Sequence, residues 1–560
     1  MKKYFNNFNF LLLVFFLINL LQAIFTPIAR DEAYYWVYSQ SLAWGYFDHP
    51  PIISLLIKMG TLIFKGVLGV RFMTVILMTF SLFLIWQLIP ESNKNHKNAI
   101  VLFFLLIFSC PVFNIYGFIT TPDVPLIFFA VVYLFVFQKF TKNATLLNTL
   151  LLGLVSALLI YSKYHGGILI LISIISHIKI LKRYNIYLAG LIALLLIIPH
   201  ILWQYNNNFV TFDYHLNQRT DGSFNIQNIG DYLLGAFSIL NPALLILIII
   251  FTFKKKVDSS FNKTLIFTLW GFLLFFLIYS CRGRIEAQWI AVSAIPLIIL
   301  LHNLILTSEK LFKTAKIIAV PSIIILLIAR VVIVLPLPLK TEFHLKQKPF
   351  YEAINKAADE EKVAFVNSYQ NAAKYYFYTG DIAFSFNQID YRKNQYDVGD
   401  YEDDFNNKKV FLVGNWPSSW FDTLALETGD SILFKIVERF PLITKLNIEM
   451  ENVDLEFENT VEDSVDISIT NPYNYDIIFN STDLPFRLQL LCRYKNEKYF
   501  INVVNQSDID TLPANSTQKF NLKFIPQDIP VNEYSLIFTI SPGYLYPQAV
   551  SGNYKVKILN

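Results

Sequence analysis

Apolar residues fill the first 340 positions in stretches of membrane length, separated by short polar runs. Eleven such stretches can be drawn: residues 8–25, 67–89, 98–117, 122–138, 146–161, 166–180, 185–203, 230–252, 263–280, 287–304 and 315–338. A helix of about 20 apolar residues crosses a hydrocarbon core of about 30 Å, so the pattern predicts a polytopic α-helical membrane protein. After about residue 339 the pattern changes. Residues 340–444 mix helical and strand signals, with Lys362–Val366 and Lys409–Gly414 reading as strands of a small α/β region. From residue 445 apolar and polar positions alternate, as in Ser464–Ile469, Phe520–Phe524 and Tyr534–Ile540, with turn-rich segments between them. Alternation with a period of two predicts half-buried strands, here a C-terminal β-sandwich-like domain. The chain therefore divides into a transmembrane region, 1–339, an extracytoplasmic α/β region, 340–444, and a β-rich accessory domain, 445–560.

Composition agrees. Of 560 residues, 54% are hydrophobic and only 16% charged, against about 25% charged in soluble domains. The net charge of +4 comes from short basic clusters between apolar runs, which excludes nucleic acid as the expected partner and points to membrane orientation. Lys2 and Lys3, Lys94 and Lys97, Lys139 and Lys142, Lys179 to Arg183, Lys254 to Lys256, and Lys310 and Lys313 fall on one face if the spans alternate. The positive-inside rule makes that face cytoplasmic. The first apolar stretch is read as a retained span, since no small-residue cleavage pattern follows it. Cys110, Cys281 and Cys492 form no spacing that implies a disulfide framework or a thiolate metal site.

The opposite face receives the unusual polar segments. Arg30-Asp31-Glu32-Ala33-Tyr34-Tyr35-Trp36 and Gly45-Tyr46-Phe47-Asp48-His49-Pro50-Pro51 follow the first span directly. Thr121-Pro122-Asp123, Tyr161-Ser162-Lys163-Tyr164-His165, the loop from Trp203 to Phe224, and Arg282-Gly283-Arg284-Ile285-Glu286-Ala287-Gln288-Trp289 lie on the same side. Ionisable groups at a membrane boundary are costly unless hydrated, paired or functional. Their convergence on one side predicts one site facing away from the cytoplasm.

These motifs, with Pro199-His200-Ile201-Leu202-Trp203-Gln204 and Asn394-Gln395-Tyr396-Asp397, resemble the polytopic glycosyltransferases of the GT-C class. The nearest resemblance is to bacterial glycosyltransferase family 39, similar to dolichyl-phosphate-mannose-protein mannosyltransferases and to lipid A aminoarabinose transferases. It spans roughly residues 25–420 and leaves the β-rich domain largely outside. It implies the GT-C fold and an inverting transfer of a sugar from a polyprenyl-phosphate donor, of the undecaprenyl-phosphate type, to an envelope lipid, glycan or protein. A lipid A-type acceptor within lipopolysaccharide is included. It also implies a bacterial inner-membrane enzyme with its catalytic loops and C-terminal domains on the periplasmic or outer side. The chain carries no glycine-rich nucleotide fingerprint, which agrees with a lipid-linked donor. A transporter or flippase for a lipid-linked glycan is the alternative; intramembrane charges, broken helices and paired repeats would favour it, whereas the chain shows no clear internal repeat and its polar motifs lie outside rather than at mid-membrane.

In the related families the residue matching Asp31 opens the catalytic motif, and a general base there deprotonates the acceptor. The plainer reading pairs Asp31 with Arg30. Glu32 either holds local structure or meets a sugar hydroxyl. Asp48 and His49 are candidate site residues and, with Asp31, a candidate divalent-ion set, since carboxylate and imidazole are normal ligands. The plainer alternative is loop hydrogen bonding; the related aminoarabinose transferases carry glutamate and lysine near this point. Asp123 either touches sugar or pins loops together. Lys163, Arg219, Arg282 and Arg284 are candidate cations for the lipid phosphate, which gains charge as the glycosidic bond breaks. Tyr164, His165 and Trp203 are candidate substrate contacts, as are His200 and His215 around Gln204 and Tyr214; interface anchoring is the plainer reading of the aromatics.

Overall fold

The computed structural model describes residues 7–218, 224–252, 260–414, 420–440, 442–450, 454–480, 485–495, 497–543 and 545–559. Lys2, Lys3, Arg219 and Lys254 to Lys256 lie outside the described residues. The chain forms two compact units, 1–347 and 348–560.

The first unit is helical. Among its described residues, seven helices are long and apolar enough to cross a membrane: Phe8–Phe25, Gly66–Leu88, Asp123–Lys142, Tyr184–Asn206, Ser260–Ser280, Ala287–Ile305 and Glu309–Val332. Three further stretches read as spans fall on shorter apolar helices, Ala99–Ser109, Leu146–Ser162 and Gly166–Ser176. The stretch 230–252 is a pair, Ile226–Leu240 and Pro242–Ile250, bent by 97°.

Proline chemistry explains two of these departures. A residue before proline is pushed out of the α region, so a helix stops there. Cys110 precedes Pro111 and is extended, with ψ of 116°. The Asn114 amide then donates to the carbonyls of Phe108 and Cys110, satisfying groups that the break leaves open. Asn241 precedes Pro242 and adopts φ of 71°, a left-handed value that Asn tolerates better than most residues. Its side chain donates to Ser109 O and Ser322 Oγ and accepts from Ala243 N. Between the first two stretches read as spans, 8–25 and 67–89, the structure also forms the helices Arg30–Gln40 and Ile52–Ile63.

The second unit begins with the helix Lys348–Ala358. Strand β1 (Lys362–Val366), the helix Tyr369–Thr379 and strand β2 (Ala383–Phe386) make a parallel βαβ unit. Strand β3 (Val410–Gly414) adds in parallel to β1, and β4 (Asp422–Ala425) and β5 (Ser431–Val437) extend the sheet antiparallel, in the order β2-β1-β3-β5-β4.

The remaining strands are β6 (Asn447–Met450), β7 (Asp454–Glu458), β8 (Asp463–Asn471), β9 (Ile477–Ile478), β10 (Phe486–Tyr494), β11 (Glu497–Asn502), β12 (Thr511–Leu512), β13 (Ser516–Phe524), β14 (Asn532–Pro542), β15 (Gln548–Ala549) and β16 (Tyr554–Leu559). One sheet runs β11-β10-β14-β16-β7, with β15 on β14; another runs β13-β8-β6. Ile467, Ile469 and Leu522 from the smaller sheet share a buried cluster with Leu488, Leu490, Phe538 and Ile558 from the larger. The alternation in Ser464–Ile469 sends Val465, Ile467 and Ile469 to this core and their neighbours outward.

Two buried acids make this unit sensitive to pH. Burial is the main cause that lifts Glu402 to about 7 and Asp397 to about 6. Tyr473 donates to Glu402, and Asn387 and Asn394 N donate to Asp397. Each acid holds its proton in the folded unit at a pH where the unfolded chain has released it. Their contribution is therefore complete below about pH 4 and is lost as pH rises through the folded values. The expected result is a melting transition of residues 348–560, followed in the intact protein by pulsed proteolysis, that falls from pH 5 to pH 8. Glu402→Gln, which keeps an acceptor for Tyr473 and removes the charge, should flatten that fall; an unchanged slope counts against the assignment.

Candidate active site

The polar segments meet at one end of the helical unit. The first helix starts with the Asn7 side chain accepting from Phe10 N, and stops at Thr26, one residue before Pro27. The chain then turns into Arg30–Gln40. Asp31 and Glu32 stand in its first turn, where the exposed N–H groups favour negative charge.

These adjacent carboxylates have different environments. Asp31 is exposed. Glu32 is fully buried. Its Oε1 accepts from Arg71 Nε and Thr120 N, each at 2.8 Å, and its Oε2 accepts from Arg71 Nη2 and, at 2.9 Å, from Ala29 N. Arg71 is also fully buried and donates to the carbonyls of Ala23, Thr26 and Pro27. The Glu32–Arg71 pair thus ties the end of the first helix, the start of the next, the helix Gly66–Leu88 and the Thr120 turn into one knot. Arg71 was missed by the sequence reading, because it stands alone in an apolar run 39 positions from its partner.

Asp48 is buried, and Tyr38 donates to its Oδ1 at 2.6 Å. Burial first, then the Asp48 charge, holds the Tyr38 phenol far above its ordinary pKa. His215 Nε2 lies 3.1 Å from the Asp48 carbonyl, and His49 Nε2 lies 3.3 Å from the Tyr35 hydroxyl. Among the described residues no three His, Cys, Asp or Glu side chains group as metal ligands.

A second polar chain runs beside them. His200 Nδ1 is 2.6 Å from the Trp44 carbonyl, and its Nε2 is 2.9 Å from the Tyr164 hydroxyl. Gln204 donates to Tyr164 and to Thr211, and Thr211 donates to the Tyr46 carbonyl. Trp203 covers Gly45 so closely that an added Cβ would lie 2.4 Å from the indole. Glycine is required there by the approach of that ring.

Lys163 and Asp123 are both buried, and the ammonium donates to Asp123 Oδ1 at 2.8 Å. Lys163 is therefore already neutralised by a carboxylate, a pairing the sequence reading did not make. His165 packs on Phe276 and Trp289, with ring centroids 5.2 and 5.0 Å away. Arg282 and Arg284 are exposed, and Arg284 lies 3.6 Å from Glu286. Arg219 lies outside the described residues.

Glu342 is a further acid that the sequence reading passed over. It follows the last span, and its Oε2 accepts from Arg30 N at 3.3 Å. Burial raises its pKa most; the Arg30 N–H lowers it, and the Asp31 and Glu32 charges raise it further. The available signal was one acidic residue in the polar run after Leu339.

The fold is polytopic and α-helical, with β-strand-containing regions beyond the helices. The structure of ArnT from Cupriavidus metallidurans in the apo state shares it, with TM-score 0.53 and 12% identity over 76% of this chain and 97% of that chain. The same protein bound to undecaprenyl phosphate gives TM-score 0.49, again at 12% identity and with coverage of 76% and 97%. Arabinosyltransferase EmbB from Mycobacterium smegmatis gives 0.38 at 8% identity, covering 96% of this chain and 65% of that one. A family described as dolichyl-phosphate-mannose-protein mannosyltransferase matches residues 48–203. No curated protein matches the chain.

Proposed function

We propose that the protein is an inverting glycosyltransferase that takes a sugar from a polyprenyl-phosphate carrier and transfers it to an envelope lipid, glycan or protein. The observation that carries this reading is the contrast among the motif acids. Glu32, Asp48 and Asp123 are buried, whereas Asp31 is exposed where the polar segments converge. The family match over residues 48–203 and the fold shared with ArnT support it.

In this mechanism Asp31 accepts the proton of an acceptor hydroxyl. The freed oxygen attacks the anomeric carbon from the face opposite the phosphate. The bond from that carbon to the phosphate oxygen breaks, and its electron pair leaves with the polyprenyl phosphate. For an acceptor that is already anionic, Asp31 orients it instead. Asp48 and His49 shape the loop through Tyr38 and Tyr35, and no step is routed through a metal. Lys163 and Asp123 fix the two turns that carry them. The terminal sheets form a sandwich-like accessory domain without a second activity. The loops face away from the cytoplasm, in a bacterial inner membrane.

Arg282 and Arg284, exposed and at this end, steer and hold the anionic donor. The double variant Arg282→Ala/Arg284→Ala is expected to raise donor KM by about tenfold, through loss of ground-state contacts. Turnover over a donor concentration series checks this; unchanged donor KM removes both residues from donor binding.

The reading as a whole is tested by mass spectrometry of envelope lipids and glycans from a deletion strain. It is then tested with purified protein and an undecaprenyl-phosphate-linked sugar. Loss of one sugar from one envelope component, with the same bond made in vitro, supports transfer. Movement of intact lipid-linked sugar across a vesicle membrane without cleavage would identify the flippase alternative.

A further inference from the structure

Arg330 stands in the last turn of the helix Glu309–Val332 and is 7% exposed. One guanidinium nitrogen, Nη2, donates to Asn19 Oδ1 at 2.8 Å and to the Asn114 carbonyl at 2.7 Å. The Phe118 ring centroid lies 5.1 Å from the guanidinium carbon. The other two nitrogens, Nε and Nη1, have no hydrogen-bond partner. Among the described residues, no carboxylate pairs with it. The other buried Lys and Arg side chains described in the helical unit differ: Arg71 pairs with Glu32 and Lys163 with Asp123.

Arginine keeps its proton in a protein, so Arg330 cannot relieve burial by becoming neutral. Its contacts are an amide oxygen, a peptide carbonyl and a ring, none of which carries a full negative charge. A buried charge without a counter-charge is costly, and within a membrane span it marks a functional position by default. Stapling three helices does not require the two unused nitrogens.

We infer that Arg330 is a binding residue for the phosphate monoester of the polyprenyl carrier, before and after its sugar is transferred. This rests on the donor reading above. The chemistry selects an oxyanion, because guanidinium and phosphate make charge-assisted hydrogen bonds to several oxygens at once. The surroundings select a lipid source. Both spans that build the site turn mostly outward: only 22% of the Phe8–Phe25 window and 17% of the Glu309–Val332 window are buried inside the protein. Leu21, Ile24 and Phe25 on one helix, and Ile324, Ile328 and Val331 on the other, are exposed apolar side chains that suit a prenyl tail. The site is also linked to the polar end. Phe118 has Arg330 on it at 5.1 Å and Arg71 at 5.8 Å, and Arg71 holds the residue next to Asp31.

The test uses the full chain in phosphatidylcholine nanodiscs, with affinities measured by native mass spectrometry for undecaprenyl phosphate, undecaprenol and phosphatidylglycerol, and with inorganic phosphate as competitor. Wild type should bind undecaprenyl phosphate at least tenfold more tightly than undecaprenol. Arg330→Gln should lose that tenfold and leave undecaprenol unchanged. A second variant does not depend on removing the arginine: Asn19→Asp places a carboxylate where Asn19 Oδ1 now accepts from Nη2. It should supply the missing counter-charge, raise the melting temperature and weaken undecaprenyl phosphate at least tenfold. Wild-type affinity in either folded variant would overturn the inference while leaving the donor reading standing. Equal wild-type affinity for undecaprenyl phosphate and undecaprenol would instead remove the donor reading itself. Displacement by inorganic phosphate at matched concentration, or equal binding of phosphatidylglycerol, would overturn the assignment to a polyprenyl phosphate.

Discussion

Asp31→Asn should leave a folded membrane protein whose sugar transfer is slower by about 10²-fold to 10⁴-fold, the range over which a positioned general base acts. The substitution keeps size and hydrogen-bonding capacity and removes the negative charge. Because Asp31 is exposed, the amide imposes little burial cost, and the variant should be extracted and purified like wild type. The comparison uses purified protein, a polyprenyl-phosphate-linked sugar and the acceptor identified from the envelope analysis. A base acts in the transition state, so kcat should fall with little change in donor KM. Wild-type turnover would remove Asp31 from the reaction. Asp31→Glu is the companion measurement: it restores the charge one methylene further out, and partial recovery separates proton transfer from shape. For an acceptor that is already an anion the expected loss is smaller. The pH profile should then lack an Asp31-dependent limb, which distinguishes orientation from proton removal.

The membrane class and the strands of the second unit were legible because each follows from a local repeat. Membrane-length apolar runs mark helices, and alternation in Ser464–Ile469 and Tyr534–Ile540 marks strands that the structure places in β8 and β14. Span continuity was less legible. Counting apolar residues alone runs through Cys110-Pro111 and Asn241-Pro242, although the pre-proline rule already places breaks there. The polar motifs could be located but not apportioned. Nothing in Asp31-Glu32 says which carboxylate is buried; that is set by Arg71 and by Thr120 N, which lie 39 and 88 positions away. Lys163 likewise reads as an interfacial cation until the fold brings Asp123 to it across 40 positions. Glu342 and Arg330 carry no motif, and their partners Arg30 and Asn19 lie 312 and 311 positions away in the chain. Chemistry that depends on residue type was readable, whereas chemistry that depends on who neutralises whom required the fold.

The largest stability effect is expected at the Glu32–Arg71 knot. Both side chains have no exposed surface, and the carboxylate receives two guanidinium and two backbone hydrogen bonds. Removing one partner leaves the other charge buried without compensation, a loss of about 3–5 kcal/mol. Arg71→Met should therefore be poorly folded at growth temperature, because that loss is a large part of the stability of an ordinary domain. Glu32→Gln should be milder than Glu32→Ala, since the amide oxygen still accepts from Ala29 N or Thr120 N. The informative measurement is the double variant Glu32→Gln/Arg71→Met. It removes both charges at once, so its melting temperature should exceed that of Arg71→Met alone, with a coupling of the two losses well above 1 kcal/mol. Additive losses would mean that each residue is held by its other contacts, Arg71 by the carbonyls of Ala23, Thr26 and Pro27 and Glu32 by the two backbone N–H groups. In that case the pair is not what fixes the first turn bearing Asp31. With strong coupling, the double variant should recover fold more than transfer, because the neutral pair restores packing but not the fourfold hydrogen bonding that orients the helix Arg30–Gln40.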